Sequence, residues 1–248
     1  MSMNAVHALP PTQAEMTLTD HLGELRTRIL IAVATLTATV LAGFALALPA
    51  IAWMKALAPL ELLQSLQFVQ LTPGEVLLVS VKLALVIGVI LASPMLLYQT
   101  LMFVLPGLAD TERKPVLLTV IFGSVLFACG LWFSSQLVVP SALGFLLAYG
   151  QSVAVSQISI ASYVDFCTML MAVTGILFEL PLVLMLLASL NLVTSTQLLQ
   201  QWRVALVAIL VAAAVLTPSQ DPVTMGIVAA AMTGLYFASL LPIKLMGK

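Results

Sequence analysis

The chain has 248 residues, of which 9 are basic and 10 acidic, so 8% is charged while 62% is hydrophobic. A soluble domain is typically about 25% charged. A mean hydropathy of +1.16 therefore excludes both a soluble globule and a disordered chain, and at about 20 residues per bilayer crossing the apolar content allows at most about seven spans.

The apolar runs are continuous rather than alternating, which excludes a transmembrane barrel and leaves an all-α polytopic membrane protein. A net charge of −1 with no basic cluster gives phosphates nothing to bind, so no nucleic-acid partner is expected. Cys129 and Cys167 are far apart in apolar stretches, with no disulfide or metal framework between them.

In chain order, residues 1–16 contain no lysine, arginine or apolar core. They match neither a signal peptide nor a transit peptide, and a disordered cytosolic tail is expected, followed by a single membrane domain over 17–248. Residues 17–28 carry Leu18, Leu22 and Leu25 at helical spacing, which predicts a surface helix leading into the first span. Six spans are predicted, at about 29–48, 76–105, 116–139, 163–190, 204–216 and 223–243. Arg28 and Pro49 bound the first, Pro94 lies inside the second, and the third opens at Pro115 and stops at Pro140. The fourth contains Glu179 and Pro181, and a tight turn with Asp221 joins the last two. The fifth has only about 13 apolar residues, roughly 20 Å of helix, and is expected to span incompletely or thin the bilayer. Between the first two spans, residues 49–75 hold Pro49, Pro59, Pro73, Lys55 and Glu61; an extracytoplasmic cap with an interfacial helix is expected rather than a seventh span.

Six spans put Arg26, Arg28, Arg113, Lys114, Arg203, Lys244 and Lys248 on one side, against Lys55 and Lys82 on the other. Lysine and arginine concentrate on the cytoplasmic side of membrane proteins, so both termini are expected there.

The remaining charges are candidates for function. No enzyme signature is present: the histidines, His7 and His21, both precede the first span, and neither metal-ligand spacing nor a phosphate loop occurs. Glu24 stands one turn before Arg28, so it either pairs with that arginine in the favourable order or faces a cationic ligand. Asp110, Glu112, Arg113 and Lys114 crowd the loop after the second span, a solvated turn that also brings carboxylates to the side of Glu24. Glu179 falls about 16 Å deep in a core about 30 Å thick. A charge there costs at least about 2.5 kcal/mol, which marks a functional carboxylate, or else a protonated one repairing the kink at Pro181. Lys82, seven residues after Glu75, is expected to snorkel and pair with it.

Several stretches, in order, resemble the TatC family of the twin-arginine protein translocase. They are residues 21–28 (HLGELRTR), 58–60 (APL), 71–75 (LTPGE) running to Lys82-Leu83, Ser93-Pro94 to Tyr98-Gln99, 103–108 (FVLPGL), 112–114 (ERK), Pro140 to Phe145, 178–181 (FELP), and 216–218 (LTP) to Asp221-Pro222. The resemblance covers about residues 17–222 and implies six helices with cytoplasmic ends. It implies a receptor for signal peptides with paired arginines on folded cargo, in which Glu24 and Glu112 recognise the arginines and Arg26, Arg28 and Phe103 belong to the same face. It further implies that Glu179 contacts the single-span partners TatA and TatB, that Pro59, Pro94, Pro181 and Asp221 are structural, and that transport draws on the proton-motive force. The resemblance also implies a homo-oligomer within a receptor complex in the bacterial plasma membrane, with no cofactor or metal expected. Where many members have a proline and then Tyr-Glu in the last span, this chain has Ala231 and Tyr236-Phe237. The rival reading from the residues alone is a small-molecule transporter with Glu179 as its proton-coupled group. Transporters of that kind carry internal repeats with matching broken helices, and the Glu-Leu-Pro of the fourth span has no counterpart in the other half.

Overall fold

The computed structural model describes residues 18–59, 66–104, 113–150, 157–217, 221–245 and 247. Their elements are α1 (Leu18–Lys55), β1 (Gln67–Val69), α2 (Glu75–Val104), α3 (Arg113–Phe133), a π-helical turn (Ser134–Val138), α4 (Val139–Gly150), β2 (Gln157–Ser159), α5 (Ile160–Phe178), α6 (Leu180–Ser189), α7 (Ser195–Gln200), α8 (Trp202–Leu216) and α9 (Pro222–Leu245). Five segments are long and apolar enough to cross a bilayer: His21–Lys55, Glu75–Phe103, Leu118–Gly150, Ile160–Ser189 and Pro222–Leu245. Trp202–Leu216 is a shorter sixth. The chain is a polytopic helical membrane protein, and large apolar side chains such as Leu41, Leu77, Leu118 and Val215 stand outward where acyl chains solvate them.

The prolines stop less than the sequence suggests. The first helix starts at Leu18 rather than near Ile29 and runs through Pro49 to Lys55. The surface helix and first span are thus one rod, and residues 50–55 belong to it, not to a separate interfacial helix. At 1.5 Å per residue its 38 residues reach about 57 Å. A single proline costs a helix one hydrogen bond, and neighbouring turns carry the backbone past it. Pro140 likewise fails to end the third span. The turn before it widens to π geometry over Ser134–Val138, where the Val139 N–H bonds to the Ser134 carbonyl, and α4 continues to Gly150. A π-turn shifts the hydrogen-bond register by one residue, which accommodates the missing proline donor. At Pro181 the fourth span does break, between α5 and α6 at Glu179.

The core lies toward the end of the bundle where α1 finishes. Val79 and Leu83 of α2 meet Val139 and Leu143 of α4, Tyr163, Cys167 and Leu170 of α5, and Val228 and Met232 of α9 there. The Tyr163 hydroxyl donates to the Met54 carbonyl at 2.7 Å and Phe68 packs edge-on against its ring at 4.9 Å. β1 and β2 pair in parallel, with Phe68 opposite Ile158. Glu75 fastens this layer. Its Oε1 accepts from Ser159 Oγ at 2.6 Å and the Ala161 N–H at 3.0 Å. Its Oε2 accepts from the N–H groups of Leu71 at 2.5 Å and Thr72 at 3.3 Å. Glu75 therefore does not pair with Lys82, contrary to expectation; Lys82 Nζ reaches Asp165 Oδ2 on α5 at 2.8 Å.

A carboxylate that receives two donors on each oxygen cannot be copied by an amide, whose NH₂ would face two backbone N–H groups. Glu75→Gln is expected to lower the unfolding temperature in detergent, because it removes charge-assisted hydrogen bonds. Ser159→Ala should lower it too, because the hydroxyl both donates to Glu75 and caps α5 by accepting the Ser162 N–H at 3.2 Å.

Candidate functional site

Two polar sites and one groove are built by α2 and the helices facing it. At the end of the bundle holding the α1 N-terminus, Glu24 and Arg28 lie one turn apart on α1. Arg28 Nε donates to Glu24 Oε1 at 2.9 Å and Arg28 Nη2 contacts the same oxygen. Arg28 Nη1 donates to Gln99 Oε1 of α2 at 3.2 Å. The local pair expected from the sequence is therefore present, and it leaves half of the carboxylate unused. Glu24 Oε2 is buried with no hydrogen-bond partner among the described residues, although the Glu24 side chain as a whole is 22% exposed. An ionised carboxylate can accept about four hydrogen bonds, so this oxygen keeps unused acceptor capacity. His21 stacks on Phe103 at 4.5 Å, and Arg26 is exposed. Glu112 and Asp110 lie outside the described residues.

Beside this pair a cavity of about 170 Å³ is bounded by Leu25, Arg28, Ile29, Leu96, Gln99 and Phe103. It adjoins a second cavity of about 230 Å³ that shares Leu96 and Thr100 and contains Glu179. That cavity in turn shares Val86 and Ala172 with a third of about 330 Å³, beside Lys82 and Asp165. The three form one groove along α2, because Lys82, Val86, Val89, Ser93, Leu96 and Thr100 repeat at alternating four- and three-residue steps and so share one helical face. Opposite α2, the first cavity is walled by Leu25, Arg28 and Ile29 of α1, and the other two by Asp165, Met169, Ala172, Ile176 and Glu179, which repeat in the same way. The groove is apolar with polar groups at three depths.

Glu179 occupies the break between α5 and α6, where its backbone N–H donates to the Ile176 carbonyl at 3.0 Å. Its side chain makes no capping hydrogen bond, so the backbone rather than the carboxyl repairs the kink. Oε2 is buried and has no partner among the described residues. Gly123 of α3 leaves the space for it: a Cβ at that position would stand 3.1 Å from Glu179 Oε2 and 2.9 Å from Leu182. Of the prolines singled out from the sequence, Pro94 borders a separate cleft between α2 and α3 with Tyr98 and Val120, and Pro59 faces Gly144. Asp221 accepts the Thr224 N–H at 2.7 Å at the start of α9. Sequence reasoning missed the partnership of Arg28 with Gln99, the stacking of His21 on Phe103, and the pairing of Lys82 with Asp165. Only the common face of Lys82, Ser93 and Thr100 on α2 was readable in advance.

The family model described as "Sec-independent protein translocase protein (TatC)" matches residues 20–230. This chain belongs to the TatC family. Among TatC relatives, the Sec-independent protein translocase protein TatC of Synechocystis sp. (strain ATCC 27184 / PCC 6803 / Kazusa) is 40% identical over 238 residues, which is 96% of this chain and 92% of that one. The chloroplastic TATC of Arabidopsis thaliana is 40% identical over 239 residues, covering 96% of this chain and 69% of its own length. Two crystal structures of a twin-arginine translocase receptor TatC superpose with TM-scores of 0.74 and 0.77 at 30% identity. The first covers 92% of this chain and 100% of the solved one, and the second, in DDM, covers 90% and 99%. The chain is thus a membrane component of the Sec-independent protein translocase, a role in protein transport.

Proposed function

We propose that this chain is the receptor subunit of a twin-arginine translocase, binding paired-arginine signal peptides at Glu24 and Glu112. The observation that carries this reading is the buried Oε2 of Glu24, unpartnered among the described residues, on the carboxylate that holds Arg28 at the end of an apolar groove. A guanidinium stays charged at every working pH and presents a fork of donors, so a carboxylate with one oxygen occupied and one free accepts it without giving up Arg28. Glu112, which follows α2 in the sequence, is the second carboxylate of this reading, so two arginines are selected over one. Arg26, Arg28 and Phe103 shape the same face, with both termini in the cytoplasm and a single membrane domain over residues 17–248. The membrane is the bacterial plasma membrane.

Glu179 then serves the step after recognition. A carboxyl without a partner in an apolar groove is a contact for a polar group on a single-span partner of the TatA or TatB kind. Several copies, assembled with those partners, move folded cargo at the expense of the proton-motive force. Membership of a translocase family weighs against the small-molecule transporter, which the same glutamate would otherwise fit.

The test is export of a folded reporter in a bacterial strain without its own TatC, supplied with this chain and its cognate partners. The reporter with paired arginines should be exported, and the same reporter with paired lysines should stay inside. Export that ignores the pair, from a stably inserted protein, overturns the reading. In the same assay Glu179→Leu should insert normally, with unchanged or raised thermal stability since it removes an unpaired buried acid, yet export less.

A further inference from the structure

The groove ends, on the side away from Glu24, at the one cross-helix ion pair among the described residues that the receptor reading does not use. Lys82 of α2 and Asp165 of α5 meet at 2.8 Å. Their side chains are 61% and 47% exposed, so the pair keeps much of its hydration. Below it the walls are mostly apolar, with Leu83, Val86, Val164, Met169 and Ala172 beside Thr168. Seventeen positions separate Lys82 from Gln99, which holds Arg28 at the opposite end. At 1.5 Å per residue the groove between them is about 26 Å long, the length of a helical apolar segment of about 17 residues.

We propose that the Lys82–Asp165 pair is the end stop of this groove and sets the length of the apolar segment that it accepts behind the paired arginines of a signal peptide. The proposal rests on the receptor reading above. The occupant follows from charge complementarity at the other end: a cation anchored on Glu24 Oε2, one turn along α1 from the Arg28 that lines the groove there, fixes where the apolar run begins, and the groove runs on to Lys82. A segment of about 17 residues fills the apolar walls and leaves the pair in contact with water. A longer helix would have to cover Lys82 and Asp165, stripping water from both charges without giving either a new partner, which is unfavourable even for a paired ion. A shorter one leaves apolar wall uncovered. The pair therefore acts as a specificity determinant through desolvation, without bonding to the peptide.

The experiment measures binding of paired-arginine peptides with apolar segments of 12, 17 and 24 residues to the full chain, co-reconstituted with its single-span partners in lipid nanodiscs. Wild type should bind the 17-residue peptide best and the 24-residue peptide about tenfold more weakly, a difference of about 1.4 kcal/mol. The variant K82L/D165L replaces the pair by apolar groups of similar size and should bring the 24-residue peptide to within about threefold of the 17-residue one. The exchanged pair K82D/D165K should restore the wild-type preference, which separates a length stop from damage to the fold. If K82L/D165L keeps the wild-type length preference while binding still depends on the paired arginines, the end stop is wrong and the receptor reading stands. If wild-type binding is indifferent to the paired arginines, the receptor reading itself falls.

Discussion

Glu24→Ala is expected to weaken recognition of paired-arginine cargo by about ten- to hundredfold while leaving the protein inserted and folded. The substitution removes the acceptor of an incoming guanidinium, and a hydrogen bond to a charged group contributes about 1.5–3 kcal/mol, equivalent to roughly ten- to hundredfold in affinity. It also strands Arg28, which keeps only its bond to Gln99 at 3.2 Å and can turn toward solvent. Glu24→Gln should be intermediate: the amide oxygen can still accept from Arg28, but the charge that draws a second cation is gone. Export of a folded reporter and peptide affinity should fall together, with expression and detergent melting temperature close to wild type. A variant that exports normally would remove Glu24 from the site.

The second large effect is structural and lies where α1 and α2 cross. A Cβ on Gly88 would stand 2.4 Å from Val40 Cγ2 and 2.8 Å from Val40 Cα, and one on Gly43 would stand 2.6 Å from the Ala84 carbonyl oxygen. Both obstacles include backbone, which cannot swing aside, so the helices approach this closely only because neither residue has a side chain. Packing between membrane helices relies on such close contact rather than on expulsion of water. Gly88→Leu is expected to cost about 3 kcal/mol or more, the upper range for overpacking, and to separate α1 from α2. Since Arg28 on α1 and Gln99 on α2 then no longer meet, peptide binding should be lost with the fold. Gly234→Ala is the control: nothing lies within 4 Å of a Cβ there, and alanine favours a helix interior over glycine by about 0.5–1 kcal/mol. It should melt at or slightly above the wild-type temperature.

The contrast between those two glycines indicates what the sequence alone discloses. Span positions follow from hydropathy because every backbone polar group in a bilayer must be satisfied within its own helix; this is why α2, α8 and α9 lie within two residues of their predicted limits. The long rods α1 and α3–α4 were not legible. Their prolines read as stops, whereas Pro49 sits in a continuous helix and Pro140 follows a π-turn, a register shift with no compositional mark. A bend at Pro181 was expected from its missing donor, and the helix breaks there at Glu179, whereas α2 runs unbroken through Pro94.

In the site, the turn-apart pair Glu24–Arg28 was readable from helical spacing, but the vacancy on Oε2 was not, because it depends on what α2 places opposite. Lys82 shows the same limit. Its own helix offered Glu75 seven residues away, yet Glu75 already receives four hydrogen bonds from the β1–α2 and β2–α5 junctions, and the partner came from a helix 83 residues distant. Local spacing identifies candidates, and tertiary contacts decide among them.

The central claim is that Glu24 touches an arginine of the signal peptide, and a double-mutant cycle measures this directly. Peptide affinity would be determined for wild type and Glu24→Gln, each with the paired-arginine peptide and with either arginine changed to glutamine. The disturbance of Arg28 is common to both arms and cancels. A coupling energy of about 1.5 kcal/mol or more, the range found for close charge pairs across interfaces, is predicted for one of the two arginines. Coupling within about 0.3 kcal/mol of zero for both, the level at which independent sites add, would contradict the account.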